Sequence, residues 1–206
     1  MGDGEHALTS RAPTNVDSAT LRRMLIGGPY QAHWETHCGR SEHWYLLCVP
    51  TTLYLITGLP GAGKSTRAAA IIAATGAEHV DMDEAMRARG LSIVDYEARF
   101  ALQPEIEELI PPLLRAGRSV VAEFGSWSRE ERDRIRALSA GTDARTELHW
   151  LDAPVGTCVE RVLARGGEGA ETLADLLRTA AAGYEQPTWD EVEQYDAYFA
   201  PDQPWL

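Results

Sequence analysis

The sequence predicts an α/β fold, a mainly parallel sheet between two layers of helices. Three observations predict it. Short apolar and β-branched runs, read as strands, alternate with alanine-rich or charged stretches, read as helices. The first strand stops at a glycine cluster that opens directly into a helix. Strand and helix then keep alternating without an internal repeat, the order that gives a parallel sheet covered on both faces.

The first strand is Leu53-Tyr54-Leu55-Ile56-Thr57, which ends at Gly58. A helix follows from Lys64 to about Thr75, rich in alanine and carrying Ile71 and Ile72, and Gly76 ends it. A second strand around His79 and Val80 leads to Asp83, and Glu84 to Arg89 reads as a short helix. A longer helix runs from about Asp95 to Ile110, where Pro111-Pro112 is expected to kink or stop it, because proline lacks the amide donor. Arg118 to Phe124, with Val120 and Val121, is the third strand and stops at Gly125.

Ser128-Arg129-Glu130-Glu131 has the capping-box pattern, and Arg132 to Leu138 continues it as an exposed, charged helix. Glu147 to Leu151 alternates as a fourth strand. Val155 to Ala164 and Glu171 to Ala182 are two further helices, separated by Gly166, Gly167 and Gly169. The tail after Tyr195 is short and irregular, and no fifth strand is placed in it.

Residues 1–50 show neither period, so they are read as an irregular appendage, with residues 51–206 as the ordered domain. The abrupt gain of order at Thr51 suggests that translation really begins near Val49, at a valine codon read as a start. Within the appendage His33, His37, Cys38, His43 and Cys48 match no standard zinc-ligand spacing. At 206 residues, one main core plus an appendage is the natural organisation.

Hydrophobic residues at 44% and charged residues at 24% are enough to bury a real core, which excludes disorder throughout. The net charge of −12 repels a long polyanion, so extended nucleic acid is disfavoured as a partner. A small phosphorylated ligand stays open to it, because helix-terminal amides hold phosphate without side-chain charge. Three cysteines with no C-x-x-C pair argue against a disulfide framework and for a reduced, cytoplasmic setting. The apolar runs fall short of the roughly 20 residues that span a bilayer, so no membrane association is expected. The oligomeric state is not legible.

Gly58-Leu59-Pro60-Gly61-Ala62-Gly63-Lys64-Ser65-Thr66 fits G-x-x-x-x-G-K-[ST] between a predicted strand and a predicted helix. Glycines let the backbone wrap inward so that its amides face phosphates, and the helix adds its positive end. In that reading Lys64 reaches the β- and γ-phosphates of ATP and Ser65 offers a hydroxyl to Mg²⁺. The competing reading is a plain glycine turn with an exposed lysine.

Phosphoryl transfer also needs a group to orient the acceptor hydroxyl, an acid near the metal and positive charge on the moving phosphoryl. Asp83 follows the second strand, at the sheet edge where ligands bind, and is the candidate base; its structural alternative is a helix N-cap. Asp81 is the rival carboxylate, two residues earlier on the strand. Arg87, one turn beyond Asp83, is a candidate to pair with it or to hold the acceptor. Glu123 ends the third strand where a carboxylate approaches Mg²⁺ through water. Arg161 and Arg165 share a helix face before the glycine-rich stretch, an arrangement suited to a mobile lid. Trp127 is a candidate acceptor platform or a lid on the core.

Gly58 to Thr66, Asp83-Glu84 with Arg87, Val120 to Trp127, Arg161 with Arg165, and Tyr184 to Thr188 together resemble a group of P-loop kinases. That group includes the kinase domain of polynucleotide kinase, chloramphenicol phosphotransferase and the zeta toxins. Residues 51–190 carry the likeness, and they most resemble a bacterial branch of small ATP-binding proteins whose third strand ends in a phrase like Asp-Phe-Gly-x-Trp-Ser. Here the phrase is Glu123-Phe124-Gly125-Ser126-Trp127-Ser128, with glutamate in place of the aspartate, and the extra methylene is expected to shift a metal-bound water.

The resemblance implies a P-loop NTPase sandwich of four or five strands in the order 2-3-1-4-5 with a helical lid. It implies Asp83 as general base, Lys64 and Ser65 as phosphate and Mg²⁺ contacts, Arg165 as the lid arginine and Arg161 as a nucleotide contact. The leading functional expectation is a kinase for a small hydroxylated metabolite or antibiotic. A 5′-hydroxyl nucleic-acid or nucleoside kinase is the alternative enzyme, and an ATP-binding switch without transfer activity is the alternative of another class.

Overall fold

The computed structural model describes residues 50–167 and 169–201. The appendage expected over residues 1–50, with its histidines and cysteines, lies outside the described residues apart from Pro50.

The first strand, β1 (Thr52–Thr57), is buried along its whole length. Period-two geometry sends Leu53 and Leu55 to one face and Tyr54 and Ile56 to the other, and both pairs meet apolar partners. Its neighbours are β3 (Val120–Glu123) on one side and β4 (Arg145–Trp150) on the other, both parallel, with Leu53 beside Val120 and Thr146. Next to β3 lies β2 (Glu78–Asp81), and next to β4 lies β5 (Ala197–Phe199). The sheet is therefore five-stranded, all parallel, in the order 2-3-1-4-5 expected from the resemblance. The fifth strand, which the irregular tail concealed, is three residues long and gains its order from pairing with Glu147 to His149.

Helix α1 (Lys64–Thr75) covers one face with Ala68 and Ile71 and stops at Gly76, whose φ of 69° is left-handed. On the opposite face lie α2 (Met82–Ala88), α3 (Tyr96–Glu107), α4 (Ile110–Arg115) and α5 (Arg129–Ala137), which contribute Met82, Met86, Leu102, Ile106, Ile110 and Ile135 to the core. A hairpin of α6 (Val155–Arg165) and α7 (Ala170–Ala180) closes one end, with Cys158, Val162, Leu173 and Leu177 packed against Leu59 and Ala62. A short helix α8 (Trp189–Val192) precedes β5. No described helix is long and apolar enough to cross a membrane.

Three details depart from the sequence reading. The second strand ends at Asp81 rather than Asp83, because Asp81 is the N-cap of α2: its Oδ1 accepts the amides of Asp83 at 2.8 Å and Glu84 at 3.4 Å. Asp83 thus sits in the first turn of the helix and is not its cap. Pro111 and Pro112 stop α3 only indirectly; they open α4, where first-turn amides have no intrahelical partner to lose. The expected exposed helix after Ser128 has the full capping box with Glu131, yet it buries Arg132 completely. That guanidinium is held by the carboxylate of Glu191 at 2.6 and 2.8 Å and donates to the Glu185 carbonyl at 2.8 Å. A charge so enclosed persists only where paired.

Candidate active site

The turn between β1 and α1 passes too close to its neighbours for side chains. Gly58 has φ 144°, and a Cβ there would lie 2.3 Å from the Leu151 carbonyl oxygen; at Gly61, φ 83°, it would lie 2.6 Å from that of Cys158. Leu59 and Ala62 form the buried underside of the loop. On its outer side Lys64 Nζ donates to the Leu59 carbonyl at 3.1 Å. Burial pulls the Lys64 ammonium below its ordinary pKa, and the carboxylates of Glu123 and Asp83 work against that shift.

Ser65, at the start of α1, donates its hydroxyl to Glu123 Oε1 at 2.8 Å. The longer glutamate at the end of β3 therefore reaches the loop hydroxyl directly. Its other oxygen, Oε2, accepts from His79 Nε2 at 3.2 Å. Burial alone would raise the Glu123 carboxyl, but the hydrogen bonds from His79 and Ser65 and the charge of Lys64 outweigh it and hold the pKa below its ordinary value. The same bond to Glu123 raises His79, against burial. Asp81 beside them is raised by burial first and by the Glu123 charge second.

Asp83 finds its cation on another helix. Arg99 of α3 donates through Nη1 to Asp83 Oδ1 at 2.7 Å and through Nη2 to the Phe124 carbonyl at 3.0 Å. No motif marks Arg99; it comes into reach only because α2 packs on α3. Arg87, the partner expected from its place one turn beyond Asp83, is exposed and does not line the cleft.

One cleft of about 860 Å³ brings most of the candidates together at the carboxyl ends of the strands. Pro60, Gly61, Gly63, Lys64, Ser65 and Thr66 line it, together with Glu123 and Asp83. Arg161 and Arg165 of α6 border it, and Arg161 Nη1 donates to the Gly61 carbonyl at 3.2 Å. Trp127 also lines it, half-buried, edge-on to Tyr184 with ring centroids 6.4 Å apart. Tyr184 in turn shares a hydrogen bond of 3.1 Å with Thr57 at the end of β1, and burial pushes its hydroxyl up to about 12. The far wall carries Tyr96, Phe100 and Gln103 of α3, which the sequence reading did not single out.

The donor chemistry fits the groups that the motif implies. Inward-facing amides at a helix start suit phosphates. A hydroxyl and a carboxylate, both hard oxygen donors, suit Mg²⁺.

Residues 53–187, more than half of the chain, match the family described as AAA domain. An uncharacterised protein of Mycobacterium tuberculosis is 27% identical over 158 residues, which are 70% of this chain and 31% of the relative. The chain thus spans about a third of the length of the first relatives it matches. A cytidylate kinase of Haloquadratum walsbyi is 30% identical over 131 residues, covering 62% of this chain and 65% of the relative. Among solved structures, a sugar kinase from Janibacter is similar with a TM-score of 0.53 at 25% identity, over 76% of this chain and 88% of that one.

Proposed function

Because the chain belongs to the AAA domain family and has a kinase-like P-loop fold, we propose that it is an ATP-dependent phosphotransferase that moves the γ-phosphoryl group to a hydroxyl of a small-molecule acceptor. The observation that carries this reading is the convergence of Lys64, Ser65, Glu123, Asp83 and Arg165 on one cleft. Kinases acting on a nucleotide and a sugar among its relatives favour a compact hydroxylated acceptor.

In this reading the loop amides of Gly61, Gly63, Lys64 and Ser65 and the Lys64 ammonium bind the phosphates, and Arg161 adds a nucleotide contact from α6. Ser65 and Glu123 would hold Mg²⁺, Glu123 through water; that ion, when bound, neutralises phosphate charge. Asp83, oriented by Arg99, accepts the proton of the acceptor hydroxyl. Arg165, at the end of α6, neutralises the transferring group. Trp127 and the aromatic wall of α3 form the acceptor side.

The direct test is acceptor-dependent ADP formation by the purified full chain with Mg-ATP and a broad panel of hydroxyl compounds. Turnover with a small acceptor supports the assignment. Tight Mg-ATP binding with no turnover on any acceptor overturns it in favour of a nucleotide-binding switch. Activity confined to oligonucleotide 5′ ends, and falling with rising salt, overturns the small-acceptor part.

A further inference from the structure

The pleat of β2 and its register on β3 place together three side chains that the phosphotransfer reading does not use as a set. His79 and Asp81 are two residues apart on β2 and so share one face of the sheet. In the parallel ladder Asp81 lies beside Glu123 of β3. The result is one imidazole and two carboxylates from two adjacent strands, whose ligand atoms all lie within 4.8 Å of one another.

We propose that His79, Asp81 and Glu123 form a binding site for a divalent first-row transition cation, with Mn²⁺ and Zn²⁺ in its range and Mg²⁺ outside it. The decisive donor is the imidazole. Mg²⁺ takes oxygen ligands and keeps its waters, whereas imidazole with carboxylates suits the transition ions.

Each ligand has an atom to give. Asp81 uses Oδ1 to cap α2, which fixes the carboxylate and leaves Oδ2 outside the cap. Glu123 uses Oε1 for Ser65 and turns Oε2 to His79. A cation between His79 Nε2 and Glu123 Oε2 replaces the hydrogen bond now joining them. Ligand distances of about 2.1 Å put neighbouring donors about 3–3.4 Å apart, and His79 Nε2 and Glu123 Oε2 already stand 3.2 Å apart, with the His79 side chain 28% exposed and able to adjust.

Glu123 faces the loop hydroxyl with one oxygen and the proposed cation with the other, so the site adjoins the phosphate cradle while needing no nucleotide. That independence separates this inference from the proposed phosphotransferase activity. Mn²⁺ is also the better probe, since it favours oxygen donors over thiolates and the chain carries three cysteines.

The experiment is a titration of nucleotide-free full chain with Mn²⁺, reading free ion by its electron paramagnetic resonance signal. One Mn²⁺ per chain is expected, undisplaced by an equal concentration of Mg²⁺. His79→Ala and Asp81→Asn should each weaken it by about 10–100-fold or more, as loss of a metal-site group does. The asparagine keeps an oxygen for the α2 cap, and circular dichroism of both variants reports that they are folded. No Mn²⁺ uptake by the unaltered chain, or equal affinity in both folded variants, overturns the site. Mg-ATP affinity of His79→Ala is measured in parallel: retained ATP binding with lost Mn²⁺ supports a cation site that adjoins the nucleotide site through Glu123 and does not depend on nucleotide. Mn²⁺ binding that persists in a chain with no affinity for ATP supports this inference while removing the proposed function.

Discussion

One guanidinium ties the first turn of α2 to the end of β3: Arg99 holds the Asp83 carboxylate at 2.7 Å with one arm and the Phe124 carbonyl at 3.0 Å with the other. Replacing it frees the carboxylate that is proposed to meet the acceptor hydroxyl. For Arg99→Ala we expect kcat to fall about 100-fold, the scale of a misplacement near 1 Å. Mg-ATP affinity should change little. Stability should drop only by about 1 kcal/mol, because the Asp83 side chain is 40% exposed and water screens the pair. Steady-state kinetics and urea unfolding check both parts.

Lys64→Ala removes the mobile charge from the mouth of the phosphate loop. Hydrogen bonds to charged groups are worth about 1.5–3 kcal/mol, so Mg-ATP should bind roughly 10- to 100-fold more weakly. Calorimetric titration reads this, and unchanged affinity would remove the phosphate role of Lys64.

Asp83→Asn keeps size and loses the basic oxygen. Transfer should slow by about 10²–10⁴-fold, the usual reach of general acid–base catalysis, while ATP binding stays near its original strength. If Asp83→Asn retains turnover and Asp81→Asn loses it, the base is Asp81.

Much of this was legible in the sequence, for reasons visible at particular residues. The motif from Gly58 to Thr66 encodes its own geometry, because only glycine fits where Leu151 and Cys158 press on the loop. The capping box at Ser128 and Glu131 is equally local. Arg99 was not legible: it lies 16 residues from Asp83, and its direction depends on how α3 packs. The burial of Arg132 needs Glu191, 59 residues further on. The end of β2 was misjudged by two residues because Asp81 and Asp83 are both good caps, and only the backbone decides between them. Ala197 to Phe199 lacks the length to declare a strand and becomes one only beside β4.

Glu191→Gln leaves the Arg132 charge enclosed and uncompensated. Both side chains are fully buried, so the loss should be about 3–5 kcal/mol, read as a lower urea midpoint. Arg132→Met combined with Glu191→Leu removes both charges and should recover most of it. A double variant no more stable than Glu191→Gln contradicts the charge-burial account.

The His79–Glu123 bond has a pH window set by both partners. Glu123 has a pKa held below its ordinary 4.5, so its contribution is full above that value and disappears as pH falls through the folded one. His79 is raised above its ordinary 6.5, so its contribution is full below that value and disappears as pH rises through the folded one. The Tm difference between the unaltered chain and His79→Asn should be widest between about pH 4.5 and 6.5 and narrow on both sides. A difference that is constant across the range excludes the linkage.

The two walls of the cleft have separate origins. The β1 turn and the start of α1 line one part of it, while Tyr96, Phe100 and Gln103 of α3 line another, together with Trp127. In the proposed reading, the acceptor side can therefore change while the nucleotide side stays as it is. A library randomised at positions 96, 100 and 103, with Arg99 kept, would test that separation by screening for changed acceptors at unchanged Mg-ATP affinity.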